Sequence, residues 1–134
     1  MIPKITHATI RAGLDAACPP ADTLRYRIYC KRLQGVLALG DAMPCFAGMT
    51  EHGTLILIGF SKQEKPAVTY LSLLSLKKVR IFSAWGQYRV RLEFFSGHTR
   101  KEIFLQLSER PHDAAFSSQT EQVEGFLNEL RALL

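Results

Sequence analysis

The period of the apolar residues changes near residue 117, and that change most constrains what this chain can become. In Tyr88, Val90, Leu92 and Phe94, apolar side chains alternate with Arg89, Arg91 and Glu93. This is the pattern of a strand with one face on a core and the other in water. Beyond Ser117, the residues Val123, Phe126, Leu127, Leu130, Leu133 and Leu134 fall at helical offsets and make a stripe that must lie on a core. Ser118 and Glu121 have the spacing of a capping box, Glu121 and Glu124 sit near the positive end of the helix dipole, and Arg131 sits near the negative end.

Upstream the strand pattern repeats. Ile103, Leu105 and Leu107 follow Ser96-Gly97-His98-Thr99, so a hairpin is expected with Gly97 at a left-handed turn position. Val79, Ile81 and Phe82 form a preceding strand that ends at Ala84-Trp85-Gly86-Gln87. Thr54 to Phe60 is rich in β-branched and aliphatic residues, and Glu51-His52-Gly53 turns it back on Pro44 to Thr50. Lys62 to Pro66 breaks the chain before Ala67 to Leu76 resumes as a strand, and Gly35 to Leu39 reads as another. Residues 23 to 33 fit both periods; Leu24, Tyr26, Ile28 and Cys30 favour a strand, while Asp22 equally suits a helix cap. A short helix from Ala8 to Ala17 is expected before Pro19-Pro20.

The sum is a mainly β fold: about seven antiparallel strands in a partly open barrel, capped by one C-terminal amphipathic helix. A chain of 134 residues with 47% apolar and 22% charged residues makes one ordinary globular domain, without need of disulfides or metal. Cys18, Cys30 and Cys45 match neither a disulfide framework nor a metal-binding spacing, and read as free thiols in a reducing compartment. With no signal-peptide pattern and no apolar run approaching the roughly 18 residues of a membrane span, the expected location is the cytoplasm or the nucleus.

Three stretches carry a resemblance to a known fold. They are the hairpin Phe46-Ala47-Gly48-Met49-Thr50-Glu51-His52-Gly53-Thr54-Leu55-Ile56-Leu57-Ile58, the run Tyr70-Leu71-Ser72-Leu73-Leu74-Ser75-Leu76-Lys77-Lys78-Val79, and the closing Gly125-Phe126-Leu127-Asn128-Glu129-Leu130. Together they resemble the pleckstrin-homology superfold, especially its bacterial and GRAM-like members, over residues 36 to 134. The resemblance implies a domain over 23–134 preceded by an N-terminal extension over 1–22. It also implies a module that binds lipid, peptide or scaffold partners, a choice the fold alone does not make. The basic signature of phosphoinositide-binding members is incomplete here: Arg25-Tyr26-Arg27 and Lys31-Arg32 lack its full spacing. The family's tryptophan in the last helix is absent, with Phe126 as the candidate for its place.

Catalytic chemistry is not expected. His7, His52, His98 and His112 sit in loops or tails without partners, the carboxylates are scattered, and no phosphate loop or dinucleotide-binding turn is present. No cofactor and no metal site are implied. The candidate binding residues come from charge: Lys77, Lys78, Arg80, Arg89, Arg91, Arg100 and Lys101 lie in one stretch with only Glu93 opposing them, and Trp85 and Tyr88 flank the turn between them. A solvated outer sheet face gives the same count, and a turn aromatic can equally fold back on the core. Three partner classes follow in rank order. A protein partner would use an apolar groove or a free sheet edge. An anionic membrane surface would use the cations with Trp85. A nucleic acid would use the basic sheet face with its aromatics.

Overall fold

A computed structural model describes residues 4–33, 42–60 and 66–133. Its elements in order are α1 (His7–Ala17), β1 (Leu24–Leu33), β2 (Ala42–Thr50), β3 (Thr54–Phe60), β4 (Pro66–Ser72), a single 3-10 turn (Leu73–Ser75), β5 (Leu76–Ala84), β6 (Gln87–Ser96), β7 (Thr99–Ser108) and α2 (Thr120–Arg131). The expected strand over Gly35 to Leu39 lies outside the described residues. The ambiguous segment from residue 23 is a strand, as its alternating aromatics favour, and the short N-terminal helix forms one residue earlier than expected. The run from Ala67 to Leu76 is not one strand: it stops at Ser72, whose hydroxyl accepts from the Leu74 N–H at 3.3 Å, and that local turn redirects the chain into β5.

All seven strands join one unclosed antiparallel sheet in the order β4-β3-β2-β1-β7-β6-β5, with β1 at its centre. The inner face carries Ile28, Met49, Leu57, Leu92, Leu105 and Leu107, and α2 covers it with Val123, Phe126, Leu127 and Leu130, each almost wholly buried. The outer face of β1 to β3 carries Tyr29, Phe46, Ile56, Ile58 and Phe60, which pack with Ile5, Ile10 and Leu14 of the N-terminal segment and α1. Strands β2 and β3 are therefore buried on both faces and read as near-continuous apolar runs. Strand β7 alternates from Glu102 to Ser108, whereas β6 breaks its alternation at Glu93, which is buried next to Leu92.

Two close approaches seat the helices. A Cβ at Gly125 of α2 would fall 2.0 Å from the Tyr26 ring, and one at Gly48 would fall 2.8 Å from a Leu24 methyl, beside Leu14 of α1. Thr6 begins α1 with a reciprocal cap: its hydroxyl accepts from the Thr9 N–H at 3.1 Å, and its own N–H donates to Thr9 Oγ1 at 2.8 Å.

The capping box expected from Ser118 and Glu121 does not form. Gln119 is the N-cap position, and its side chain makes no cap bond because it is turned toward the sheet instead. Strand β7 leaves β1 after Leu107 pairs with Cys30, so the earlier part of β1 lacks a neighbour on that side. Glutamine side chains from α2 and its approach fill the gap: the N–H groups of Arg27 and Tyr29 donate to Gln122 Oε1 at 2.9 Å and Gln119 Oε1 at 2.8 Å.

Candidate binding surfaces

The outer face of β5, β6 and β7 brings most of the charge-selected residues together, and cross-strand register decides which remain available. Arg91 stands opposite Phe104, and Glu93 opposite Glu102, so the two carboxylates sit side by side among the arginines. Arg91 pairs with Glu102, and Arg100 bridges Glu93 and Glu102, the latter at 2.8 Å. The hydrogen bond to Glu102 raises Arg91 above its ordinary pKa, and the same bond, outweighing the cost of burial, holds Glu102 below its own. Arg91 and Arg100 thus form an internal network rather than a free cationic site. Lys77, Lys78, Arg80, Arg89 and Lys101 make no ion pair with another described residue. Three of them, Lys77, Lys78 and Arg80, lie on β5, which is a free edge of the sheet. Charges there also keep an open edge from pairing with other chains.

Tyr88 packs partly against the inner core and borders a hollow with Phe82 and Arg89. It is half-buried, and its hydroxyl donates to Glu109 Oε1 at 2.9 Å, a bond that raises its pKa ahead of the effect of burial. Trp85 does not fold back on the core: it is fully exposed at the tip of the β5–β6 hairpin. Its φ of 50°, followed by 77° at Gly86, gives the positive pair of a type I′ turn. A bulky residue in that conformation is uncommon and costs backbone energy that glycine or asparagine would not. Phe82, 58% exposed, stands opposite Arg89 on the same hairpin. A hollow of about 290 Å³ beside it is lined by Leu33, Phe82, Arg89, Arg91 and Phe104 among others.

A groove of about 540 Å³ runs between α1 and the outer face of β2, β3 and β4, walled by Ala12, Gly13 and Ala16 on one side and floored by Phe46, Ile58, Phe60, Val68 and Tyr70. The small residues on this face of α1 leave the space over the strands unfilled, while Ile10 and Leu14 pack the helix on the sheet. Ala12 and Ala16 are exposed, and Val68 and Tyr70 are 46% and 53% exposed. The Tyr70 hydroxyl donates to the Ala17 carbonyl at 2.7 Å and ties β4 to the end of α1. Among the described residues no carboxylate, amine, imidazole or thiol lines the groove. The available signal was the recurrence of Ala12, Gly13, Ala16 and Ala17 at helical spacing, opposite strands too apolar to be solvated.

A smaller polar cleft of about 140 Å³ lies where β1, β6 and β7 meet the segment after β7. Tyr29 donates to Asp113 Oδ2 at 2.7 Å there, and Lys31 stands 3.3 Å from the same oxygen. Burial would raise the Asp113 carboxyl, but the bonds from Tyr29 and Lys31 outweigh it and hold the group below its ordinary value. Of the four histidines, His52 meets a carboxylate, with Nδ1 2.8 Å from Asp22. Among the described residues no group of three potential metal ligands gathers, and no helix is long and apolar enough to cross a membrane.

No protein-family model matches the chain, and no curated protein does. The structure is similar to that of the hSac2 domain from the human phosphoinositide phosphatase Sac2, with a TM-score of 0.60 and 10% sequence identity, over 94% of this chain and 79% of that one. At that identity the likeness is one of fold.

Proposed function

We propose that this chain is a binding module without catalytic chemistry, pleckstrin-homology-like in arrangement, whose α1 groove receives apolar side chains of a protein partner. The groove itself carries the proposal. Its volume of about 540 Å³ falls within the roughly 300–1,000 Å³ of ligand sites, and its described lining residues are uncharged. Such a hollow rewards apolar groups, and none of its described lining residues carries a cation to pair with a phosphate or carboxylate. Seven antiparallel strands followed by a helix support the pleckstrin-homology-like reading. The adjacent unpaired thiols of Cys30 and Cys45 suit a reducing, cytoplasmic setting.

Ala16→Arg tests it, because Ala16 is an exposed helix residue that lines the groove. The variant should keep the wild-type melting temperature and lose a protein that the wild type captures from cell extract. Identical capture by both proteins would exclude the groove as the site.

Trp85 favours a second reading, contact with an anionic membrane surface. An exposed tryptophan at a hairpin tip suits the headgroup region, and Lys78, Arg80 and Arg89 on the same two strands would add an electrostatic term that salt weakens. The structural neighbour comes from a phosphoinositide phosphatase, which accords with a lipid-facing role. Sedimentation with anionic and neutral vesicles at two salt concentrations tests this. Binding to anionic vesicles that Trp85→Ala and salt both reduce would support it, and equal binding to neutral vesicles would not.

A further inference from the structure

The two edges of the sheet are treated differently. Strand β5 ends the sheet on one side with Lys77, Lys78 and Arg80, the charges by which open edges are commonly protected. Strand β4 ends it on the other with Pro66-Ala67-Val68-Thr69-Tyr70-Leu71-Ser72, which carries no charge at all. One side of β4 pairs with β3 along its whole length, and among the described residues no strand pairs with the other side. The apolar groove opens over this same strand, with Pro66, Val68 and Tyr70 in its lining.

We infer that β4 is a docking edge, to which an extended segment of a protein partner adds as an eighth strand while its alternate apolar side chains close the open side of the α1 groove. The inference rests on the groove reading above and specifies its mode. Strand addition supplies backbone hydrogen bonds from the unpaired edge, and the period of two directs every second side chain of the added strand to the groove face. The partner segment is therefore uncharged over its contact and apolar at alternate positions. A helical partner would fill the groove but leave the β4 backbone unpaired. A second copy of this chain fits less well. Antiparallel pairing of two β4 strands about Thr69 sets Val68 opposite Tyr70. The partner's β4 side chains would then floor its own groove, and neither groove would gain a side chain to close it.

The test uses the full chain and a displayed library of peptides that alternate an apolar residue with threonine. The best binder is resynthesised with backbone N-methyl groups on either its odd or its even residues. An added strand turns one set of N–H groups toward β4 and the other toward solvent. One methylated peptide should therefore bind about tenfold or more weakly, and the other should bind like the parent. Val68→Lys and Ala12→Arg should each weaken the parent peptide, and amide exchange in β4 should slow on binding. A peptide that Ala12→Arg abolishes but that tolerates both methylation patterns overturns strand addition and leaves the groove reading standing. Failure to select any peptide, or binding indifferent to both substitutions, overturns both. A concentration-dependent dimer that protects β4 amides without peptide assigns the edge to a second copy and likewise overturns the proposal.

Discussion

The side-chain amide of Gln119 pairs with both backbone groups of Tyr29, accepting from its N–H at 2.8 Å and donating to its carbonyl at 2.7 Å. The same Nε2 donates to the Ser108 carbonyl at 2.9 Å. One glutamine side chain thus does the work of a strand residue where β1 and β7 separate. Gln119→Leu should cost roughly 2 to 4 kcal/mol, because it leaves buried backbone groups unpaired. A urea midpoint within error of wild type would show that water satisfies these groups as well.

Leu130 and Phe126 are fully buried against the inner sheet face. Leu130→Ala should lower stability by roughly 2 to 5 kcal/mol. Gly125→Ala probes the same contact from the opposite side, since its methyl group would enter the Tyr26 ring. That variant should also be destabilised, and shortening Tyr26 in the same chain should recover part of the loss. Calorimetry of the single and double variants reads the coupling, which is absent if α2 moves freely on the sheet.

Trp85 occupies a turn that prefers another residue. Trp85→Asn creates the favoured Asn-Gly pair and should stabilise the fold by roughly 1 kcal/mol. A gain in melting temperature alongside weaker binding to anionic vesicles would mean that the hairpin gives up stability to present the indole. A loss of stability would place the indole in a contact that holds the fold.

The Tyr29–Asp113 bond predicts sensitivity at both ends of the pH scale. Burial and the bond to Asp113 raise the Tyr29 hydroxyl, so its contribution is complete below the ordinary tyrosine value of about 10 and is lost as pH rises through the folded value. Asp113 is depressed, so its contribution is complete above the ordinary aspartate value of about 3.9 and fades as pH falls through the folded value. The stability difference between wild type and Tyr29→Phe should be widest between these limits and shrink beyond either. A difference independent of pH would remove the bond from the account.

The three thiols should separate by reactivity. Cys30 faces Cys45 across β1 and β2, both are buried, and the Cys30 thiol is raised first by its bond to Cys45 and then by burial. Cys18 is partly exposed, but burial and the nearby Asp22 and Asp15 raise it as well. Iodoacetamide at neutral pH should modify Cys18 alone, more slowly than a free cysteine, and should reach the other two only in denaturant. Rapid native modification of Cys30 or Cys45 would mean that β1 and β2 open locally.

The legible parts of this fold are those in which one face meets water. Arg89, Arg91 and Glu93 between apolar neighbours announce β6, and Val123 to Leu130 announce α2, because a single buried face leaves a period in the chain. Thr54 to Phe60 is evidently a strand but does not disclose its second cover, since a strand buried on both faces has no period left to read. The α1 groove is hidden for the same reason: alanines at 12 and 16 acquire meaning only once Phe46 and Ile58 are known to lie beneath them. The cationic stretch looked uncompensated because Glu102 stands one residue beyond it, while register places that carboxylate against Arg91 and Arg100. Ser118 kept its local spacing for a cap, but the long-range demand of Tyr29 took Gln119 and set the helix start.

That demand bears on how the molecule is made. On a ribosome all seven strands are translated before Gln119 and Gln122, so a nascent sheet waits with backbone donors of its central strand unanswered and its inner face uncovered. Completion of the sheet then waits on α2, which emerges after β7. Premature stop codons after β7 should yield chains that chaperones retain and proteases clear, even though every strand has been synthesised.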